Sequence, residues 1–222
     1  TLAYADQRDV QNERFLPWEE FVSLARDYNV FLRDYHPEES LRSGLEQLGE
    51  ALETEVDAYL LGGGNLILRG LKDSTKDLDI VVEDREDFMA LGEILRGMGY
   101  EERRDLEEAY EKLDPAVVFE REGSPRYDIF VETVAGALQL TEEMRGRVDR
   151  TVEYGGLRLH LLSLTDIFLF KSITEREGDF EDSALITRQA GIDWGQLFEE
   201  VKRQDDVTGQ YFSFAVLDTL DI

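Results

Sequence analysis

The segment from Tyr59 to Asp84, YLLGGGNLILRGLKDSTKDLDIVVED, constrains this chain more than any other part of it. One apolar run ends in three consecutive glycines, and a second, LDIVVE, follows a polar stretch. Short apolar runs bounded by turn residues are the pattern of buried strands. DAYLLGG therefore predicts a strand ending in glycine, NLILRGL a short helix, and LDIVVE a second strand. A strand that passes through a glycine turn into a helix leaves backbone N–H groups unpaired at the helix start. Those donors, with the positive end of the helix dipole, suit a phosphate chain. Glycines such as Gly62 and Gly63 let phosphate oxygens approach because no side chain intervenes. Taken alone, the same glycines read more simply as a structural turn.

Asp77 and Asp79 open the second strand with Leu78 between them. In extended backbone, residues i and i+2 share a face, so the two carboxylates converge while Leu78 turns inward. Like charges that close are costly unless a cation lies between them, and magnesium takes carboxylate and phosphate oxygens together. A solvated Asp-x-Asp in a very acidic chain is the plainer alternative. A third acid, Asp128, is the one charge inside the apolar run YDIFV. A carboxylate at such a position calls for a partner or a metal, unless the strand is an edge and Asp128 faces water.

The rest of the chain reads as helices, then a mixed sheet, then helices. Trp18, Phe21, Val22, Ala25, Tyr28 and Leu32 form one stripe, which predicts an amphipathic helix over 17–34. Pro37 suits the first turn of a second helix, whose seam is Leu41, Leu45, Leu48 and Leu52. Asp84 with Asp87 predicts a capped helix carrying Phe88, Leu91, Leu95 and Met98 and ending at Gly99. PAVVFERE and RYDIFVE form a hairpin through GSP, with Tyr127, Ile129 and Val131 on one face and Asp128 and Phe130 on the other. GRVDRTVEYGGLRLHLL predicts another hairpin. Ser163 and Asp166 then start a helix that Gly178 breaks, and DFEDSALITRQA and WGQLFEEVKRQ supply two more. The expected division is a helical segment over 1–55, a core over 56–160 and a helical region over 161–222.

Composition narrows the chemistry. The 222 residues include no Cys and two His, His36 and His160, which argues against thiolate metal sites, Cys nucleophiles and His-based triads. A hydrophobic fraction of 42% is enough for a real core. No apolar stretch is long enough to span a bilayer, and the N-terminus lacks a secretory pattern, so a cytoplasmic location is the expectation. The chain starts without an initiator Met, which fits a trimmed protein or a piece of a longer one. Fifty acidic residues against 24 basic ones give a net charge of −26. With Lys and Cys both scarce, that profile resembles proteins of salt-accumulating halophilic archaea. No basic stripe is present, so broad nonspecific nucleic-acid binding is not expected.

Leu61, Gly62, Gly63, a gap of thirteen residues, then Asp77, Leu78, Asp79 and Ile80, with Asp128 on a later strand, make a pattern that goes beyond its parts. It resembles the nucleotidyltransferase superfamily that includes DNA polymerase beta and the minimal nucleotidyltransferases. GGGNLILRGLKDSTKDLDIVV is also similar to a segment of toxin–antitoxin-type nucleotidyltransferase-like proteins. KSITEREGDFEDSALI resembles their helical motif, with Lys171, Arg176, Asp179 and Asp182 in place. The resemblance spans roughly 56–190 and leaves the first two helices unmatched.

What it implies is an α+β fold, a mixed sheet flanked by helices, and transfer of NMP from an NTP to a hydroxyl of tRNA, a protein or a small molecule. Asp77, Asp79 and Asp128 would hold two Mg2+ ions. Gly62 and Gly63 would admit the triphosphate, and Lys171 would neutralise its charge. Many members carry Ser where Gly63 stands, and Asn65 is the candidate substitute donor. Two further readings accompany the enzyme: a catalytically silent binding or regulatory module of the same fold, and one component of a toxin–antitoxin pair.

Overall fold

The computed structural model describes residues 35–103, 117–134, 138–174 and 177–220. The helix expected over 17–34 lies outside them, as does Arg176.

The chain enters through a two-residue strand, β1 (His36–Pro37), and a helix, α1 (Glu38–Ala51). The Tyr59–Asp84 segment follows as β2 (Val56–Leu60), α2 (Gly62–Leu68), β3 (Ser74–Thr75) and β4 (Asp77–Val82). Next come α3 (Arg85–Gly97), β5 (Glu101–Arg103), β6 (Val117–Glu120) and β7 (Arg126–Val131). A small pair, β8 (Thr133–Val134) and β9 (Leu138–Gln139), leads through α4 (Glu142–Gly146) to the hairpin β10 (Arg150–Tyr154) and β11 (Leu157–Leu161). Four helices close the chain: α5 (Leu164–Thr174), α6 (Glu177–Gln189), α7 (Trp194–Thr208) and α8 (Ser213–Leu220).

The fold is α+β, built on a mixed seven-stranded sheet in the order β10-β11-β2-β4-β7-β6-β5. β4 pairs parallel with β7 and antiparallel with β2, and β11 runs parallel to β2. The central strands are buried on both faces, which is why they read as continuous apolar runs. On one face Leu78, Ile80, Tyr127 and Ile129 pack with Leu41, Leu45 and Leu48 of α1 and Leu91 and Leu95 of α3. Each of those leucines is fully buried, and each such burial stabilises by about 1.5–3 kcal/mol. On the other face Tyr59, Leu61, Val81 and Phe130 pack with Ile167, Phe168 and Leu169 of α5 and Leu197 of α7. The expected boundary at residue 55 thus falls between α1 and β2, two elements that share one core.

Local signals decide most element ends. Asp84 accepts hydrogen bonds from the amides of Glu86 and Asp87, and Gly99 leaves α3 at φ +85°. Ser163 and Asp166 bond reciprocally at the start of α5. Three readings need correction. Pro37 is the N-cap residue of α1 and lies just before its first turn. Helix α2 begins at Gly62, so all three glycines are inside it. The reason is space: a Cβ on Gly64 would lie 2.7 Å from Leu78 Cδ2, so the helix packs this tightly on β4 only without side chains. Gly178 does not break α5, which ends at Thr174; it sits in the first turn of α6, with open space around its Cα.

Candidate active site

Strand register assembles the acids. In the parallel β4–β7 ladder Asp77 lies opposite Arg126, and Asp79 lies opposite Asp128. The period of two then puts all four side chains on one face of the sheet. Leu78 and Tyr127 point to the other face, into the leucine core. The three expected acids are brought together, and a cation that the sequence reading missed stands among them.

That cation is Arg126. Its Nη2 donates to Asp128 Oδ2 at 2.6 Å and to Asp77 Oδ2 at 3.1 Å. Asp128 is fully buried, and its Oδ1 has no hydrogen-bond partner among the described residues. Burial pushes the Asp128 carboxyl well above the usual range; Arg126 opposes that rise, and the charges of Asp77 and Asp79 add to it. An uncompensated carboxylate in such a place is costly, so the site as it stands leans on the guanidinium.

The glycine turn touches these acids directly. The Leu61 amide donates to the Asp79 carbonyl at 2.9 Å, which pins the start of α2 to β4. Gly62 has φ +56°, and a Cβ there would lie 2.0 Å from Asp79 Oδ2. A Cβ on Gly63 would lie 2.4 Å from Thr75 Oγ1, and that hydroxyl reaches Asp77 Oδ1 at 3.3 Å. No side chain caps α2, so its first amides lack both a cap and an intrahelical acceptor.

Two expected contributors have other engagements. Asn65 is fully buried, and its amide donates to the carbonyls of Leu60 at 2.8 Å and Leu162 at 3.1 Å while accepting from Arg69 Nε. Both of its N–H groups are used, so in this arrangement it ties α2 to the end of β2 and to the residue after β11. Lys171 lies 2.6 Å from Asp179 Oδ1 and 3.0 Å from Asp182 Oδ2, and Lys72 reaches Asp182 Oδ1 at 2.7 Å. Burial pulls the Lys171 ammonium down, but the two carboxylates outweigh it and hold its pKa above the ordinary value. Its charge is thus already balanced within the protein.

A cavity of about 40 Å³ opens beside Asp79 and Gly62, walled by Phe130, Phe170, Lys171 and Thr174. Pockets that enclose drug-sized ligands measure about 300–1,000 Å³, so this cavity by itself is smaller than a nucleotide. Among the described residues no three His, Cys, Asp or Glu side chains are arranged as a ready metal centre. The donor chemistry nonetheless fits a hard divalent cation: three carboxylates share one sheet face, and one buried oxygen is unpartnered.

No protein-family model matches the chain, and no curated protein matches it. Among solved structures, an antigenic nucleotidyltransferase-like protein from Paracoccidioides brasiliensis is similar at 15% sequence identity and a TM-score of 0.42, over 82% of this chain and 94% of that one. The chemistry of the site therefore rests on its own geometry. No described helix is long and apolar enough to cross a membrane.

Proposed function

We propose that the chain is a magnesium-dependent nucleotidyltransferase that moves NMP from an NTP to a hydroxyl acceptor. The observation that carries this reading is the β4–β7 register, which places Asp79 beside Asp128 on the face that bears Asp77. These three carboxylates would hold the metal. Bound there, magnesium would favour deprotonation of the acceptor hydroxyl and neutralise charge on the triphosphate. The backbone of Gly62 and Gly63 would let phosphate oxygens reach the first amides of α2, close to the acids. The acceptor is a tRNA, a protein or a small molecule, and membership of a toxin–antitoxin pair and a halophilic archaeal origin belong to the same proposal.

A second reading has an observation in its favour. With Arg126 between Asp77 and Asp128 and a cavity of about 40 Å³, the site also suits a regulatory module that keeps the fold without turnover. Labelled ATP, CTP, GTP and UTP, supplied with total RNA and cell protein in high-salt magnesium buffer, separate the two. The enzyme transfers label to a defined acceptor, releases pyrophosphate, and loses both in Asp79→Asn. Nucleotide binding without transfer to any acceptor fraction supports the module.

A further inference from the structure

Arg126 and Asp128 are two residues apart on β7, so both side chains leave the same face of the strand. Across the ladder Arg126 faces Asp77. The guanidinium is buried, with 7% of its side chain exposed, and one nitrogen, Nη2, contacts an oxygen of Asp77 and an oxygen of Asp128. Any ion that takes those same two oxygens meets that nitrogen first. Glu120 offers the guanidinium another anionic neighbour, with Oε1 at 4.0 Å from Nη1 and a third of its side chain exposed.

We propose that Arg126 is a tethered counter-ion, which a divalent cation must displace before it can occupy the acid site. This rests on the metal-binding role proposed above for Asp77, Asp79 and Asp128. Loading is then an exchange: the ion gains the carboxylate oxygens, and the guanidinium turns toward Glu120 or an incoming anion. Two consequences follow from charge alone. The empty site is held together, because Asp128 is never left buried without a cation beside it. The resident charge also weakens the pull on a second cation, so the affinity for a lone ion is low. An anionic co-ligand that accepts the guanidinium raises that affinity, and by linkage the ion raises the affinity for the anion.

Manganese is a suitable probe, followed by calorimetry and by the loss of its free-ion paramagnetic signal, together with melting curves of the full chain. Arg126→Gln removes the charge and keeps a hydrogen-bonding side chain. It should bind manganese at least about tenfold more tightly than the parent, a coupling of ordinary size. It should also melt below the parent without metal and recover more of its melting temperature than the parent gains when manganese is added. Arg126→Lys keeps the charge but loses the planar fork, so its affinity should fall between the two. If Arg126→Gln does not fold without metal, Arg126→Lys carries the test, and an affinity above the parent's is the supporting result. Binding equal to or weaker than the parent's, in a folded variant, overturns the proposal and makes Arg126 an organiser of the carboxylates. If neither the parent nor any variant binds manganese, the acids are not a metal site; the proposed function then fails first and takes this inference with it.

Discussion

Replacing Gly62 by Ala tests whether the glycine turn and the acids form one unit. Gly62 has φ +56°, and a Cβ there would stand 2.0 Å from Asp79 Oδ2. The left-handed backbone alone costs an L-residue about 1–2 kcal/mol. The clash adds little to that, because the carboxylate end of Asp79 can rotate away. To regain ordinary contact it must move by more than an ångström, and a shift of about 1 Å in a reacting constellation can cost roughly 100-fold in rate. Gly62→Ala should therefore lose about 1–2 kcal/mol in urea denaturation, and magnesium-dependent pyrophosphate release should fall by about 100-fold. Gly97→Ala is the matched control: Gly97 lies in α3, and nothing stands within 4 Å of a Cβ there. Gly97 is the exposed last residue of that helix, so the substitution should change stability by no more than about 0.5 kcal/mol and leave transfer unchanged. If Gly62→Ala loses stability but transfers at the parent's rate, the turn is structural only and its contact with Asp79 is incidental.

Three further outcomes are expected. Asn65→Ala leaves two buried carbonyls short of a donor, so denaturation should show a loss of about 1–3 kcal/mol, with no change in nucleotide affinity among molecules that remain folded. Lys171→Ala breaks a buried pair with Asp179 and Asp182 and should destabilise by about 3 kcal/mol; a fall in nucleotide affinity at unchanged stability would instead restore its role on phosphate. The net charge of −26 should make the melting temperature higher in about 1 M KCl than in about 0.1 M, since the Debye length shrinks from about 10 Å to about 3 Å.

What the sequence made legible has a common physical basis. β2, β4 and β7 are buried on both faces, so they show as unbroken apolar runs, and Asp128 stands out because it interrupts one of them. The caps at Asp84 and Ser163 were readable because each acts within three residues. Arg126 was not readable. It sits at the start of β7 beside a proline, where an arginine passes for a turn residue; Asp128 is two residues on, but the contact with Asp77, 49 residues away, comes only from strand pairing. The engagement of Asn65 was hidden for a similar reason: one of its acceptors, Leu162, is 97 residues distant, so nothing local distinguishes a structural amide from a ligand donor. The pairing of Lys171 with Asp179 depends on how α5 and α6 pack, which residue patterns do not encode. Helix α8 escaped because Phe214 and Leu217 are exposed while Phe212 and Val216 are buried, a pattern too short and too apolar to show a clear stripe.

The alternation along β7 also bears on how reliably the chain finds its own sheet. A slip of one residue between β4 and β7 would swap every side chain to the opposite face. Asp128, with Arg126 two residues before it on the same face, would then enter the space now filled by Leu41, Leu45 and Leu91, and Tyr127 would be thrown out beside Asp79. Taking an arginine and a carboxylate together into a leucine core costs several kcal/mol, on the order of the whole margin by which a domain stays folded. The misaligned sheet is therefore self-defeating, whereas an all-apolar β7 would tolerate it. The same acid that burdens the finished protein proofreads the assembly of its central strands.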